Sequence, residues 1–147
     1  MMSNRNDASG IEYMKSKGYP QPVIDFFRKL DIADEYLEIN GVRINHSVDL
    51  MEENEDAVPG CAMLPFGYLN IASTKYGDVY CLDTNTKNAA GEPVVVIASH
   101  EEISEDSTEE EIKESIIHTA DSFTDFIDKF NKGELPSQYY DVNPAQK

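Results

Sequence analysis

The chain has 147 residues, the size of one domain with a core of its own. It carries 28 acidic residues against 12 Lys and Arg, and the resulting net charge of −16 argues against nucleic acids or anionic membranes as partners. A hydrophobic fraction of 40% excludes wholesale disorder. We therefore expect a single domain over residues 1–147, with its core at about 10–133 and tails at 1–8 and 136–147.

Two cysteines, Cys61 and Cys81, are too far apart in the sequence for a redox pair or a metal motif. Both have apolar neighbours, so we expect buried, reduced thiols. The first ten residues lack the apolar segment of a secretory signal, and no apolar run reaches the roughly 20 residues of a membrane span. The sequence therefore predicts a cytoplasmic protein.

Two helices are predicted near the N-terminus. The first, over about residues 10–17, begins after Ser9 and ends at Gly18. The second begins at Pro22, which suits a first helical turn, and its apolar residues follow helical spacing as far as Leu30.

The Asn40-Gly41 pair lies between two segments of alternating polarity, which is the strongest short-range signal for a β-hairpin. An alternative is a helix through Tyr36 and Ile39 that ends at Gly41. The hairpin is favoured because Val42–Ile44 continues the alternation. The following Asp49–Asp56 run, with five acids and no base, is compatible with a short helix or an exposed loop.

The central segment, Leu64–Asp83, is rich in aromatic, β-branched and large apolar residues and predicts two strands around a turn at Lys75–Asp78. A polar, turn-rich loop at Thr84–Pro93 separates them from a third strand, Val94–Ala98. Asp78 is interpreted as a residue of the turn.

The C-terminal third predicts one long helix that ends near Gly133. Ser107–Glu111 offers two overlapping capping boxes for its start. Ser122–Asp125 is itself a weak cap, so a break near Asp121 is the alternative. The predicted stripe steps by three and four residues: Ile112, Ile116, Ala120, Phe123, Ile127 and Phe130.

Candidate catalytic residues are few. His100 follows a strand and is followed by Glu101 and Glu102, so a small enzyme using this histidine with one of these glutamates is one hypothesis. No second histidine lies at ligand spacing, and we expect His100 to be a structural residue bonded to a backbone carbonyl. Nucleophile, phosphate-binding, dinucleotide and calcium-loop motifs are absent from the sequence. We therefore predict no catalytic residues, no metal and no cofactor.

The acidic residues are unevenly distributed, because two runs at 49–56 and 101–114 contain five and eight of them, while the first 43 residues hold six of the 12 bases. Such a distribution predicts an oriented negative face that attracts a basic partner protein. The candidate partner-binding residues are Asp49, Glu52, Glu53, Glu55, Asp56, Glu101, Glu102, Glu105 and Asp106.

The order of these elements resembles the SMI1/KNR4 (SUKH) superfamily over roughly residues 20–132. The Gly77–Asp83 segment is similar to that family's "Gd.y.lD" strand, and Ala120–Ile127 to its terminal "a.sF.efl" helix. The other matching features are the helix Pro22–Leu30, the Asn40-Gly41 pair, Leu64–Gly67 and the strand Val94–Ala98.

This resemblance implies an α+β fold with a central, mainly antiparallel sheet and helices packed at its ends. With the elements predicted above, these are the N-terminal helices and the long C-terminal helix. The resemblance also implies a function without catalysis, since the superfamily shares no catalytic residues. Its bacterial members are largely immunity proteins that neutralise a cognate toxin, often a nuclease, whereas fungal members regulate cell-wall synthesis. An immunity protein for a basic toxin is thus the favoured expectation, and an intracellular regulator or scaffold is the alternative.

Overall fold

A computed structural model describes residues 8–30 and 36–142 of the chain. Within these ranges it contains seven helices, six strands and a 3₁₀ turn at Leu64–Phe66. The helices are α1 (Ala8–Ser16), α2 (Gln21–Lys29), α3 (Asp49–Glu55), α4 (Gly60–Met63), α5 (Glu109–Ser115), α6 (Phe123–Asn131) and α7 (Tyr139–Val142). The strands are β1 (Tyr36–Ile39), β2 (Val42–Asn45), β3 (Tyr68–Thr74), β4 (Val79–Lys87), β5 (Pro93–Ala98) and β6 (Ile117–Ala120).

The six strands form one sheet whose spatial order equals their order in the chain, and every neighbouring pair is antiparallel. Helices from the N-terminus and the C-terminus pack on this sheet. The predicted α+β class with a central antiparallel sheet is therefore confirmed.

Both faces of the central strands are buried. In β4, Tyr80 and Leu82 point to a core shared with α1, α2 and α6, whereas Val79 and Cys81 point to a second core formed with α4 and α5. The alternation of side chains along a strand produces this division, and it explains why the run in β5 is apolar at every position. The sheet is thus a middle layer between two layers of helices.

The Asn40-Gly41 pair is a hairpin turn, as favoured, and the helical alternative is wrong. Both residues have positive φ, 52° at Asn40 and 84° at Gly41, which is the requirement of a type I′ turn. The flanking residues Ile39 and Val42 face each other in the ladder. The acidic run that follows is helical as α3, which settles the second open alternative.

The single long C-terminal helix is wrong. Helix α5 ends at Ser115, the extended backbone of Ile116 (φ −91°, ψ 152°) leads into β6, and β6 pairs with the outer edge of β5. A new helix, α6, then begins after Ser122, whose side chain accepts a hydrogen bond from the N–H of Asp125. The β-branched pair Ile116-Ile117 and the free edge of β5 favour a strand here. The chain therefore does break at the weak cap Ser122–Asp125, and strand β6 precedes this break.

Smaller differences between prediction and structure concern where individual elements begin and end. Strand β4 extends to Lys87, so the polar loop before β5 is shorter than predicted. Helix α1 begins at Ala8, which places Ser9 inside it, and the rest of the predicted tail 1–8 lies outside the described residues. Tyr139 in the predicted C-terminal tail is only 2% exposed and belongs to the main core, while residues 143–147 are not described.

Candidate protein-interaction surface

Helix α3 is fixed to the sheet by a buried polar network. β2 and β3 pair only at one end, at Val42–Arg43, which leaves the edge of β3 open at Asn70. The side chain of Asn54 in α3 accepts a hydrogen bond from the N–H of Asn70 (3.0 Å), and the hydroxyl of Tyr19 donates to the Asn70 carbonyl (2.5 Å). Asn54 also donates to Tyr19 (2.7 Å). These side chains replace the missing strand partner, so α3 is held against the sheet edge.

A close backbone approach also fixes this end of α3. Gly60, the first residue of α4, packs on the carbonyl of Glu53, and a Cβ at this glycine would lie 2.0 Å from that oxygen. Leu50 and Asn54 face inward, one helical turn apart, and both are fully buried. The remaining, mostly acidic residues of α3 therefore point outward or sideways from a rigid support.

Three acids of α3 line a polar cleft of about 270 Å³ between the helix and the β1–β2 hairpin. We call this region the acidic cleft. Its walls are Asp49, Glu52 and Glu53 on one side and Tyr36, Arg43, Asn45 and Ser73 on the other.

The one basic residue of the acidic cleft is already engaged within the hairpin. Nε of Arg43 donates to Glu38 (2.7 Å), and its guanidinium carbon lies 4.4 Å from the centre of the Tyr36 ring. The charge of Arg43 is thereby balanced by Glu38. The carboxylates of Glu52 and Glu53 form no salt bridge with any cation in the described part of the chain. The cleft consequently presents excess negative charge to solvent.

The ionised form of Glu53 is destabilised in the acidic cleft. Its half-buried position raises the pKa of its carboxyl, and the nearby charges of Glu52 and Asp49 raise the pKa further. A cationic group entering the cleft would relieve both effects, because it would favour the ionised form. The geometry is therefore suited to an ammonium or guanidinium group.

The other acids of the first run are separated from this cleft. Glu55 accepts a hydrogen bond from the Tyr13 hydroxyl (2.8 Å) and pairs with Lys17 (3.2 Å). These contacts lower the pKa of Glu55, with the Tyr13 hydrogen bond as the main cause. Glu55 thus joins α3 to the end of α1, and its charge is compensated.

One acid from each acidic run acts on the Cys61 thiol. Asp56 after α3 and Glu105 in the β5–α5 loop both raise the pKa of the Cys61 thiol, beyond the main effect of its burial. The remaining predicted acids of that loop, Glu101, Glu102 and Asp106, are exposed. Glu102 accepts a hydrogen bond from the hydroxyl of Tyr140. The structure therefore brings together Asp49, Glu52 and Glu53 in one cleft, rather than all nine residues.

His100 contacts the carboxylate of Asp78, a partner that was not predicted from the sequence. Its Nδ1 lies 2.9 Å from Oδ1 of Asp78, and its backbone N–H donates to the same oxygen (3.2 Å). The expected partner of His100 was a backbone carbonyl, or Glu101 and Glu102 in the enzyme hypothesis. Asp78 is only 4% exposed, and its second oxygen accepts the N–H of Tyr139 (2.9 Å). Asp78 is therefore a buried acceptor that joins the turn to α7, rather than only a turn residue.

The cysteines, metal sites and membrane spans can be compared with the predictions. Cys81 is buried, whereas Cys61 is half-buried, and both thiols are free. Burial raises the pKa of each thiol. Across residues 8–30 and 36–142, no group of His, Cys, Asp and Glu has a metal-binding arrangement. No helix in these ranges is both long and apolar enough to cross a membrane.

Sequence reasoning missed the hairpin wall of the acidic cleft. Arg43 and Asn45 occupy alternate positions of β2 and so share its outer face, where Asn45 contacts Ser73 of β3 (3.4 Å). The alternation of the hairpin could have placed Arg43 and Asn45 on one face. It could not have shown that α3 folds back against them, since that contact is long-range.

We expect Glu53→Gln to stabilise the protein at about pH 7. The pKa of Glu53 is raised on folding, so its ionised form opposes folding above that pKa, and this penalty disappears as the pH falls below the ordinary value of 4.5. The gain in melting temperature should thus shrink towards about pH 4. Thermal unfolding at both pH values tests this, with the exposed Glu114→Gln as the matched control. Equal gains for both variants at both pH values would contradict the prediction.

Comparison with known proteins assigns the family. The family profile described as SMI1-KNR4 cell-wall (SUKH) matches residues 26–127, from α2 to α6. This range covers the hairpin, α3, the whole sheet and the acidic cleft between them. A search of curated proteins found no match. The chain belongs to the SMI1-KNR4 (SUKH) family.

Proposed function

We propose that this protein is a non-enzymatic binding module, an immunity protein that neutralises a basic toxin through the acidic cleft and the acids beside it. The observation that carries the proposal is the uncompensated charge of the cleft. Glu52 and Glu53 face solvent beside a single arginine that Glu38 already neutralises. Family membership and the net charge of −16 agree with this function.

The proposed mechanism is occlusion of a basic surface. The negative field would speed encounter by about 10- to 10³-fold at low salt, and the rate gain would fall as salt screens the charges. In the complex, a lysine or arginine of the toxin would enter the cleft beside Glu53. The rigid mounting of α3 through Asn54 and Gly60 keeps these carboxylates in place before binding, which limits the entropy lost on association.

The test is binding to the toxin-like product encoded beside this chain, by co-expression and by sizing chromatography at low salt. Wild type is expected to restore growth and to form a complex. The double variant Glu52→Lys/Glu53→Lys is expected to weaken binding by about 2–5 kcal/mol, because it places like charges against the partner's cation.

The matched control is Glu110→Lys/Glu114→Lys on α5, which changes the net charge by the same amount at two exposed positions outside the cleft. This variant should lose only the general, salt-dependent attraction. Equal losses for the two double variants would refute the role of the cleft. Absence of any complex or growth rescue with wild type would refute the immunity function.

A further inference from the structure

A second cavity shares no lining residue with the acidic cleft and has apolar walls instead of acidic ones. It has a volume of about 310 Å³ and is formed by the start of α2, the end of β4, the start of β5 and the start of α6. We call it the proline pocket. Its apolar walls are Pro20, Pro22, Val23, Leu82, Pro93 and Phe123, and its rim is Gly18, Thr84, Lys87, Gly91, Glu92 and Thr124.

The rim of the proline pocket is held in place by Asn88 in the β4–β5 loop. The Oδ1 of Asn88 accepts the N–H groups of Ala90 (2.8 Å) and Glu92 (3.0 Å). Its Nδ2 donates to the carbonyl of Asp121 at the start of α6 (2.8 Å) and to Glu92 (3.3 Å). The loop is therefore tied to α6. Since the prolines also fix φ in the walls, the cavity is formed before any ligand arrives.

Lys87 gives the proline pocket its charge preference. No hydrogen bond or salt bridge joins the side chain of Lys87 to any residue of the described ranges, whereas most other described lysines pair with a carboxylate. The neighbouring carboxylate, Glu92, is oriented by Asn88. The first turn of α6 also contributes Phe123 and Thr124 to the lining, and the start of a helix favours negative charge.

We propose that the proline pocket binds a small apolar monocarboxylate, with its hydrocarbon part on Val23, Leu82 and Phe123 and its carboxylate towards Lys87. Cavities of this size, mostly apolar with a few polar groups at the rim, are typical small-molecule sites. The carboxylate is the group that complements an unpaired lysine in an otherwise acidic protein. This site is independent of the acidic cleft and of the proposed toxin-binding function.

The experiment uses three probes with the same six-carbon chain: hexanoate, hexanol and hexylammonium. Each is titrated into the full, ¹⁵N-labelled chain, and amide shifts are followed by NMR. Hexanoate is expected to shift the amides of Lys87, Gly91, Phe123 and Thr124 in a saturable way. Hexanol should bind more weakly, and hexylammonium weakest of all. This order of affinities is the reverse of the one that the net charge of −16 alone would produce, because that charge attracts hexylammonium and repels hexanoate.

Two variants separate the pocket from general effects. Lys87→Gln should weaken hexanoate binding about fivefold, the size of a partly exposed charge pair, whereas Lys113→Gln on α5 should leave it unchanged. Glu92→Gln should strengthen it. No saturable shift at the pocket, equal or tighter binding of hexylammonium, or equal effects of the two lysine variants would each overturn the proposal.

Discussion

Replacing Phe126 with alanine is expected to lower the free energy of unfolding by about 3–5 kcal/mol. Phe126 is completely buried in α6, and its ring centre lies 5.2 Å from that of Tyr80 in β4 and 6.2 Å from that of Phe123. Truncation removes these contacts and leaves a cavity that the rigid sheet cannot close. The loss should therefore be near the upper end for a single core substitution.

Urea unfolding measures this loss, and Asp128→Ala on the exposed side of the same helix is the control. Asp128 forms an exposed salt bridge with Lys132 (3.0 Å), so its removal should cost no more than about 0.5 kcal/mol. Similar unfolding midpoints for the two variants would show that α6 is not packed on β4 as described.

Asp78→Asn is expected to cost about 2–4 kcal/mol, because it changes a buried carboxyl group that accepts the backbone N–H groups of His100 and Tyr139 and contacts the His100 ring. An asparagine offers only one acceptor oxygen, so its NH₂ group would face either His100 or the N–H of Tyr139. The loss should weaken the docking of α7 in particular. Tyr139 should then become accessible, which tyrosine fluorescence can follow because the chain has no tryptophan.

Asp121→Asn provides the matched control for Asp78. Asp121 also lies 2.9 Å from a histidine, His118, but its side chain is 77% exposed, so the same chemical change should have little effect on stability. If both substitutions lowered the unfolding midpoint equally, the burial of Asp78 and its link to α7 would not matter to the fold.

The parts of the fold that could be predicted are those that local patterns determine. The hairpin followed from the tolerance of Asn40 and Gly41 for positive φ, and the central strands from the composition around a short turn. The family resemblance followed from the same short segments. Each of these features depends on residues that are neighbours in the chain.

The parts that could not be predicted depend on contacts between distant residues. The stripe from Ile112 to Phe130 has helical spacing, but β6 forms because β5 offers an unpaired edge, which the spacing does not encode. Asp78 and Tyr139 form a hydrogen bond although they are 61 residues apart in the sequence. The acidic cleft likewise needs α3 to fold back on the hairpin. For the site, the sequence provided the acids of α3 but not the wall opposite them.

The sheet's simple topology has a consequence for how the protein opens. Strand order follows chain order, so β1 and β6 are the two edges and each has a single partner, while β4 is paired along both sides and β3 pairs with β2 over only part of its length. Transient opening should begin at the edges and reach β4 only with complete unfolding, and amide protons should exchange in that sequence. The acidic cleft lies beside the β1 edge, whereas one wall of the proline pocket is β4 itself. The first is therefore built on the part of the sheet that opens most readily, and the second on the part that persists longest.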